Sequence, residues 1–410
     1  MAGCVSFSHP TSLMVAPDHE TIAYLWIDSL ELPMVDSPRL AQTAKVVWSS
    51  IGALDRKKST TARAVLLQQG GHDLATLIGM SFSPDSRHIA ILSGARLSVL
   101  RLDDGRLRQI SFADELVTSY AWHGDNEIVY AAYANVRGKH RDTADRIFRR
   151  QSINEFAKAG VPAFREDGVT ARPGGSAGIE TDEYFSPSGR YVVYMDHWPR
   201  GRFRCLDITT GQAVSFGQSD AHTEGVAWMP DDSLALCVSE DNRSKGHIQA
   251  LLLEPRTGKV EDLSGPFAQD FPGFPPQVEP TTTPAGQFFI ANSLDRGGCL
   301  VRPRPWEVLP VARKLQRECG LGGDRAPWIY PSPAARWFVT GGSPGDRWAF
   351  THDLRNVVAL GNSERDATNP KTSAGAWAFD GGRIVTVDYS NHISIRAVDL
   401  PGPALSRPGV

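Results

Sequence analysis

The strongest pattern along the chain is a two-residue alternation of apolar and polar positions, recurring in short runs that each end at a turn. In residues 78–111, Met80 and Phe82 alternate with Gly79, Ser81 and Ser83, the period of a half-buried strand. Pro84-Asp85-Ser86 then predicts a reversal, because proline presets φ and aspartate hydrogen-bonds the backbone two residues on. The denser run Ile89-Ala90-Ile91-Leu92 predicts a strand covered on both faces, ended by Ser93-Gly94. Residues 97–102 read as a third strand, Asp104-Gly105 favours a tight hairpin, and residues 107–111 read as a more polar outer strand. The segment is a complete four-stranded antiparallel unit.

Aligned on Phe82, the unit recurs at positions 15, 82, 122, 185, 228, 282, 331 and 377. Clear copies are Tyr184-Phe185-Ser186-Pro187-Ser188-Gly189, Ala227-Trp228-Met229-Pro230-Asp231-Asp232 and Ala376-Trp377-Ala378-Phe379-Asp380-Gly381. Weaker ones lie at Ala16-Pro17-Asp18, Ala121-Trp122-His123, Thr283-Pro284-Ala285 and Ser332-Pro333-Ala334. The mean spacing, about 52 residues, is near the period of propeller blades. The reading is an all-β chain built as one eight-bladed β-propeller of four-stranded antiparallel blades, with seven blades as the alternative.

These units resemble WD-repeat and TolB-like β-propellers over about residues 13–400. The resemblance is carried by Ser83-Pro84-Asp85 with Ile89-Ala90, and by Gly71-His72, which is similar to the Gly-His that opens a WD blade. Ala221-His222 stands in the same place before Trp228. The Trp-Asp dipeptide of WD repeats is replaced by Arg101-Leu102-Asp103 and Cys205-Leu206-Asp207, which brings the chain closer to TolB-like units. The repeat reading makes the chain one domain, residues 1–400, and residues 401–410 read as a flexible tail. The resemblance implies a ring. It also implies closure by a blade shared between the chain ends. The last repeat supplies three good strands (375–379, 383–387 and 392–398), so Val5-Ser6-Phe7-Ser8 is expected to complete its sheet. Dipeptidyl-peptidase enzymes carry a similar propeller joined to a hydrolase domain, for which there is no room here.

Composition narrows the function. Lys+Arg 43 against Asp+Glu 46 leaves no global field to recruit nucleic acid or an anionic membrane. Cys4, Cys205, Cys237, Cys299 and Cys319 are scattered and never spaced Cys-x-x-Cys, so reduced thiols and a cytoplasmic setting are expected. The first twenty residues carry neither a signal peptide nor a membrane span.

Three stretches depart from the repeat. Residues 29–44, with Pro33 and Pro38, read as a loop insertion in the first blade. Residues 136–168 read as a second insertion, dense in Arg137, Lys139, Arg141, Arg146, Arg149, Arg150 and Lys158. Part of it, 145–158, has an imperfect helical stripe of Ile147, Phe148, Ile153 and Phe156. Its bland reading is a solvated loop with one buried edge, and interleaved acids dilute any contact with a polyanion. In residues 265–286 six prolines are expected to prevent ladder pairing, so that Phe267, Phe271 and Phe274 either anchor a partner or fold back onto neighbouring blades.

Local catalytic motifs are scarce. Gly174-Gly175-Ser176-Ala177-Gly178 and Gly341-Gly342-Ser343-Pro344-Gly345 match a hydrolase pattern, but neither sits between a strand and a helix. No metal or cofactor fingerprint appears, so no metal and no cofactor is expected. A propeller can still assemble a site where loops converge at its channel mouth. The residues expected there for binding are His72, Asp73, Asp196, Asp220, Glu224, Asp346, Arg347 and His392, with Glu240, Asp241, Asp295 and Asp388 nearby and Phe271 and Phe274 as partner anchors. The alternative to ligand binding is for His72 and His222 to hold turns within their own blades and for the carboxylates to cap turns. For an enzyme, His197 or His222 would act as base, with Arg200 or Arg296 holding an anionic substrate. The sequence favours a non-catalytic platform for a protein or peptide partner, or for a small polar ligand. The alternative is a lyase or hydrolase assembled from the mouth loops; membrane and nucleic-acid partners are not expected.

Overall fold

The structure is a computed structural model. It describes residues 5–18, 21–31, 41–50, 63–69, 77–137, 143–154, 163–170, 183–196, 201–241, 247–272, 276–283, 286–293, 295–318, 326–331, 337–341, 346–362, 377–380, 383–388 and 394–399.

Strands follow one another as antiparallel meanders. The first sheet is β1 (Val5–Val15), β2 (Thr21–Glu31), β3 (Ala41–Ser50) and β4 (Arg63–Gln69). The second is β5 (Leu77–Phe82), β6 (His88–Ser93), β7 (Arg96–Arg101) and β8 (Leu107–Gln109). The third is β9 (Leu116–Trp122), β10 (Glu127–Arg137), β11 (Thr143–Ser152) and β12 (Phe164–Thr170). A seven-stranded sheet follows: β13 (Glu183–Phe185), β14 (Tyr191–Met195), β15 (Gly201–Asp207), β16 (Ala213–Trp228), β17 (Ala235–Asp241), β18 (His247–Glu254) and β19 (Lys259–Asp262).

Helix α1 (Ser264–Asp270) leads to β20 (Gln277–Thr283), β21 (Gly286–Ser293), β22 (Gly297–Pro303) and β23 (Trp306–Leu309). Helix α2 (Val311–Glu318) leads to β24 (Trp328–Pro331), β25 (Phe338–Gly341), β26 (Asp346–Phe350) and β27 (Val357–Asn362). The last sheet is β28 (Trp377–Asp380), β29 (Arg383–Asp388) and β30 (Ser394–Asp399).

The all-β propeller class expected from the sequence is the one observed, as seven hydrogen-bonded sheets among the described residues. The seven-stranded sheet holds two consecutive four-strand sets that share β16. The first half of β16 pairs with β15, from Leu206↔Ala213 to Phe203↔Phe216, and its second half with β17, from Ala221↔Asp241 to Trp228↔Ala235. All eight positions of the sequence alignment therefore fall on the first strand of a set, namely β1, β5, β9, β13, β16, β20, β24 and β28.

The chain divides into two compact units. One comprises residues 1–112, 174–179 and 365–410; the other comprises 113–173 and 180–364. In each, the core lies between successive sheets. In the first unit, Ala23, Leu25, Val46 and Trp48 pack against Phe82, Ile89, Ile91 and Leu100. In the second, Val129, Ala131 and Phe148 meet Val192, Tyr194 and Leu206, and Leu236, Val238 and Leu252 meet Phe289, Ala291 and Val301. Each such Val, Leu, Ile or Phe side chain taken out of water contributes about 1.5–3 kcal/mol, which is why the alternating positions specify the sheet faces.

Four sequence expectations need correction. Val5 to Ser8 do not complete the last sheet: they pair with β2, Val5 opposite Glu31 and Ser8 opposite Asp28. Both partners sit in one long hairpin, so local pairing outcompetes a strand exchange between chain ends.

Residues 145–152 are not helical but belong to β11, and 136–168 contribute to β10, β11 and β12 rather than to an insertion. Residues 144–148 are buried on both strand faces, which removes the alternation a strand reading needs and leaves a chance helical stripe. The 29–44 insertion shrinks in the same way, because β2 runs to Glu31 and β3 begins at Ala41.

Finally, the proline-rich stretch does pair. Pro266 lies in the first turn of α1, where its missing N–H costs no hydrogen bond, and Pro280 sits on β20, the edge strand of its sheet, opposite Phe289. Phe271 is 2% exposed and packs with Phe267, ring centroids 5.1 Å apart, so it is a core residue and not a partner anchor. Phe274 lies outside the described residues.

Candidate functional site

The turns joining first to second strands are cross-tied from set to set. Asp18 N donates to Ser86 Oγ at 2.9 Å in the first unit. In the second, His123 Nδ1 meets Ser188 O at 2.8 Å, Ser186 Oγ donates to Asp232 Oδ2 at 3.1 Å, and Gln287 Nε2 donates to Asp231 Oδ2 at 2.9 Å. The Ser-Pro-Asp and Ser-Pro-Ser turns seen in the sequence are the parts of this belt. In the first, Ser83 Oγ accepts from His88 N at 2.9 Å and donates to Asp85 Oδ1 at 2.5 Å. The opposite sheet ends, in each set, carry the second-to-third turns, the crossings to the next set, and both helices.

The candidate residues lie at those opposite ends. Asp196 follows β14 and caps its own turn, accepting from Arg202 N at 2.7 Å. Ladder register sets His222 opposite Glu240 and Asp241 opposite both Ala221 and His247, so two imidazole and carboxylate positions share one sheet end. His247 was not anticipated; its only signal was its place at the first position of β18. Asp220 lies just before that pair on β16, and Glu224 on the same strand is exposed.

Arg296 is already engaged: it meets Asp270 Oδ1 at 3.3 Å, lies 5.9 Å over the Phe271 ring, and shares Asp270 with Trp306 Nε1 at 2.8 Å. It therefore clamps α1 to the turn after β21, next to Asp295, whose carbonyl takes a hydrogen bond from Arg313 at 2.5 Å. Asp346 and Arg347 open β26 opposite Asn362 and Gly361, and Asp388 pairs with Ser394. His72, Asp73, His197, Arg200 and His392 lie outside the described residues, as do Gly174 to Gly178 and 342–345 of the two serine motifs.

The densest polar assembly was not anticipated as a site. It joins the third sheet to β13, β14 and β15, and its centre is Arg146, 0% exposed. Arg146 donates to Met195 O at 2.7 Å and to Tyr133 Oη at 3.1 Å, faces Glu183 at 3.4 Å and Glu166 at 3.5 Å, and stacks 4.9 Å over the Tyr194 ring. Glu183 also accepts from Thr118 at 2.9 Å and Tyr133 at 3.1 Å, while Glu166 accepts from Tyr194 at 3.1 Å and pairs with Arg204. A flanking pair, Arg149 with Glu115 at 2.6 Å, is joined by Tyr130 at 3.0 Å.

Burial alone opposes the Arg146 charge, but Tyr133, Glu183 and Glu166 outweigh it and hold the guanidinium protonated. Burial, reinforced by Glu183 and Glu166 respectively, pushes the Tyr133 and Tyr194 phenols up, so both remain proton donors to carboxylates. Two arginines and two glutamates balance within the cluster, an arrangement suited to locking sheets together. In the same unit, burial raises the half-buried Glu279 carboxyl on β20, and Glu279 adds to the rise that burial imposes on Tyr330.

Among the described residues no group of three or more His, Cys, Asp or Glu is placed to hold a metal ion. No helix there is long and apolar enough to cross a membrane.

No family model matches the chain, and no curated protein matches it. Among solved structures it is similar to an oligogalacturonate lyase in complex with manganese, at 10% identity and a TM-score of 0.49, covering 97% of this chain and 91% of that one. It is also similar to a chain of the mitotic checkpoint complex, at 11% identity and a TM-score of 0.43, covering 81% and 83%. Identities this low leave the chemistry of each chain its own.

Proposed function

We propose that the chain is a non-catalytic β-propeller platform, which binds a protein or peptide partner, or a small polar ligand, at the sheet ends opposite the cross-tied turns. The observation that carries this reading is the division of labour between the two ends. Side chains of the first-to-second turns are spent on neighbouring turns through Ser86, Ser188, Asp231 and Asp232. The ends carrying Asp196, Glu224, Asp346 and Arg347 hold the crossings from set to set and both helices, and connections of this kind are where binding residues collect on a rigid scaffold. The basic residues of β11 support the same reading, since Arg146, Arg149 and Arg150 are held by Glu183, Glu115 and Glu127 and serve the scaffold.

The test is calorimetric titration of the full chain with a peptide array and with sugar acids, nucleotides and amino acids, alongside product analysis. Saturable binding without conversion is expected, weakened tenfold or more by Glu224→Ala or by Asp346→Ala with Arg347→Ala, and unchanged by Arg87→Ala in a clasped turn. Turnover abolished by His197→Ala or His222→Ala, with folding intact, would overturn the reading in favour of a lyase or hydrolase.

A further inference from the structure

One rung of the seven-stranded sheet interrupts an apolar face with polar residues. Thr223 on β16 lies opposite Ser239 on β17, and Ser239 lies opposite Gln249 on β18. Opposite residues of an antiparallel ladder share a face, so the three side chains form one polar row. Two positions along each strand on that same face are Cys237 and Leu251, which pack with Met195 and Phe203 of the preceding set. The row therefore continues a core: Ser239 is 0% exposed and Gln249 8%.

The crossing between the two sets closes down on this row. A Cβ on Gly217, whose φ is 78°, would stand 3.2 Å from Gln249 Oε1 and from Leu251 Cδ1 and 3.4 Å from Phe203 Cδ2, so glycine permits the approach. The next residue ties it down, since Gln218 N donates to Gln249 Oε1 at 3.3 Å.

The polar groups of the row are not satisfied by the protein. Thr223 Oγ1 and Ser239 Oγ are both buried, and neither makes a hydrogen bond to another group of the chain. Leaving a buried hydroxyl in that state is costly, and here two face each other on one rung. Opposite residues hold their Cβ atoms about 4.5–5.5 Å apart, and two hydrogen bonds of about 2.8 Å span that range through one intervening oxygen. Gln249 Oε1 supplies a third contact, because a carbonyl oxygen has a second lone pair beyond the one that Gln218 N uses.

We propose that Thr223, Ser239 and Gln249 bind one internal water molecule, which accepts from Ser239 Oγ and donates to Thr223 Oγ1 and Gln249 Oε1. Three contacts are what a buried water ordinarily makes. The ligand is neutral because threonine, serine and glutamine carry no charge, and it is small because Phe203, Cys237 and Gln249 seal the row from solvent. The site braces the sheet end proposed above for binding, without depending on that reading. Register shifts between Thr223 and Gly225, which makes the exposed Glu224 the extra residue of a bulge standing on this rung.

The test joins oxygen-17 magnetic relaxation dispersion, which counts long-lived internal waters, to urea unfolding of the full chain and of Ser239→Ala, Thr223→Val and the double variant. The double variant is expected to lose one long-lived water. Each single variant is expected to lower the folding constant fivefold or more by removing one hydrogen bond of the water, and the double variant to lose less than the product of the two, because the water leaves with both hydroxyls. Hydroxyls that are simply unpaired would make each single variant as stable as the unaltered chain or more so, and that result would overturn the proposal. An unchanged dispersion in the folded double variant, or single losses that multiply, would overturn it as well.

Discussion

Removing the Arg146 guanidinium tests whether the buried cluster locks the third sheet to its successor. In Arg146→Ala, Met195 O loses a donor at 2.7 Å, and Glu183, 3% exposed, loses its counter-charge while keeping only neutral donors from Thr118 and Tyr133. Breaking one side of a buried ion pair costs about 3–5 kcal/mol, mostly through the charge left behind. Arg146→Lys keeps the charge but cannot span Met195 O, Tyr133 Oη and two carboxylates from one planar fork, and about 1–3 kcal/mol is lost. Arg146→Met with Glu183→Gln removes both charges, so the double variant is expected to be less damaged than the two single losses added together.

The assay is urea unfolding of the full chain followed by tryptophan fluorescence, with the unaltered protein, Arg146→Met, Glu183→Gln and the double variant compared in one cycle. A contrast is built into the molecule: Arg101 pairs with Asp104 on the open surface, and Arg101→Ala is expected to leave the midpoint in place. A loss below about 1 kcal/mol for Arg146→Ala, or strict additivity in the cycle, would refute the reasoning.

Three further outcomes are expected. A Cβ added at Gly298 would stand 2.5 Å from Ile329 Cγ1, and one at Gly297 would stand 2.7 Å from Ala326 O at φ 70°, so Gly298→Ala and Gly297→Ala should each cost about 1–3 kcal/mol in thermal or urea unfolding. Asp232→Ala should cost about 1–3 kcal/mol by stranding Ser186 Oγ, whereas Asp232→Asn should lose less because asparagine tolerates the φ of 58° and keeps an acceptor; differential scanning calorimetry distinguishes them.

Burial pushes the Cys205 thiol up to about 12 and the Cys299 thiol up to about 11, so neither should react with a disulfide reagent at pH 8 until the chain unfolds. Since the folded values lie above the unfolded one, stability from these protonated thiols is present below about pH 8.5 and should fall as pH rises from there toward 11 and 12.

The turns and strands were legible in the residues themselves. Ser83-Pro84-Asp85 carries its own hydrogen bonds, Gly105 and Gly211 announce positive φ, and Ile89 to Leu92 can only be a covered strand. Those features depend on neighbours within a few positions, which one stretch of sequence contains. The candidate site was legible only as positions: register set His222 beside Glu240, yet Phe271 turned inward and Arg296 was committed to Asp270.

Arg146 shows the limit most clearly, because in the chain it stands among basic residues and reads as solvated, while the glutamates that claim it come from β12 and from β13. The sequence by itself determined the repeating meander, its period and its turn chemistry. Which charges are buried, which aromatics are core and which sheets are locked together was decided by tertiary structure. Burial and ion pairing depend on groups tens of residues away, brought within 3 to 4 Å only when sheets stack.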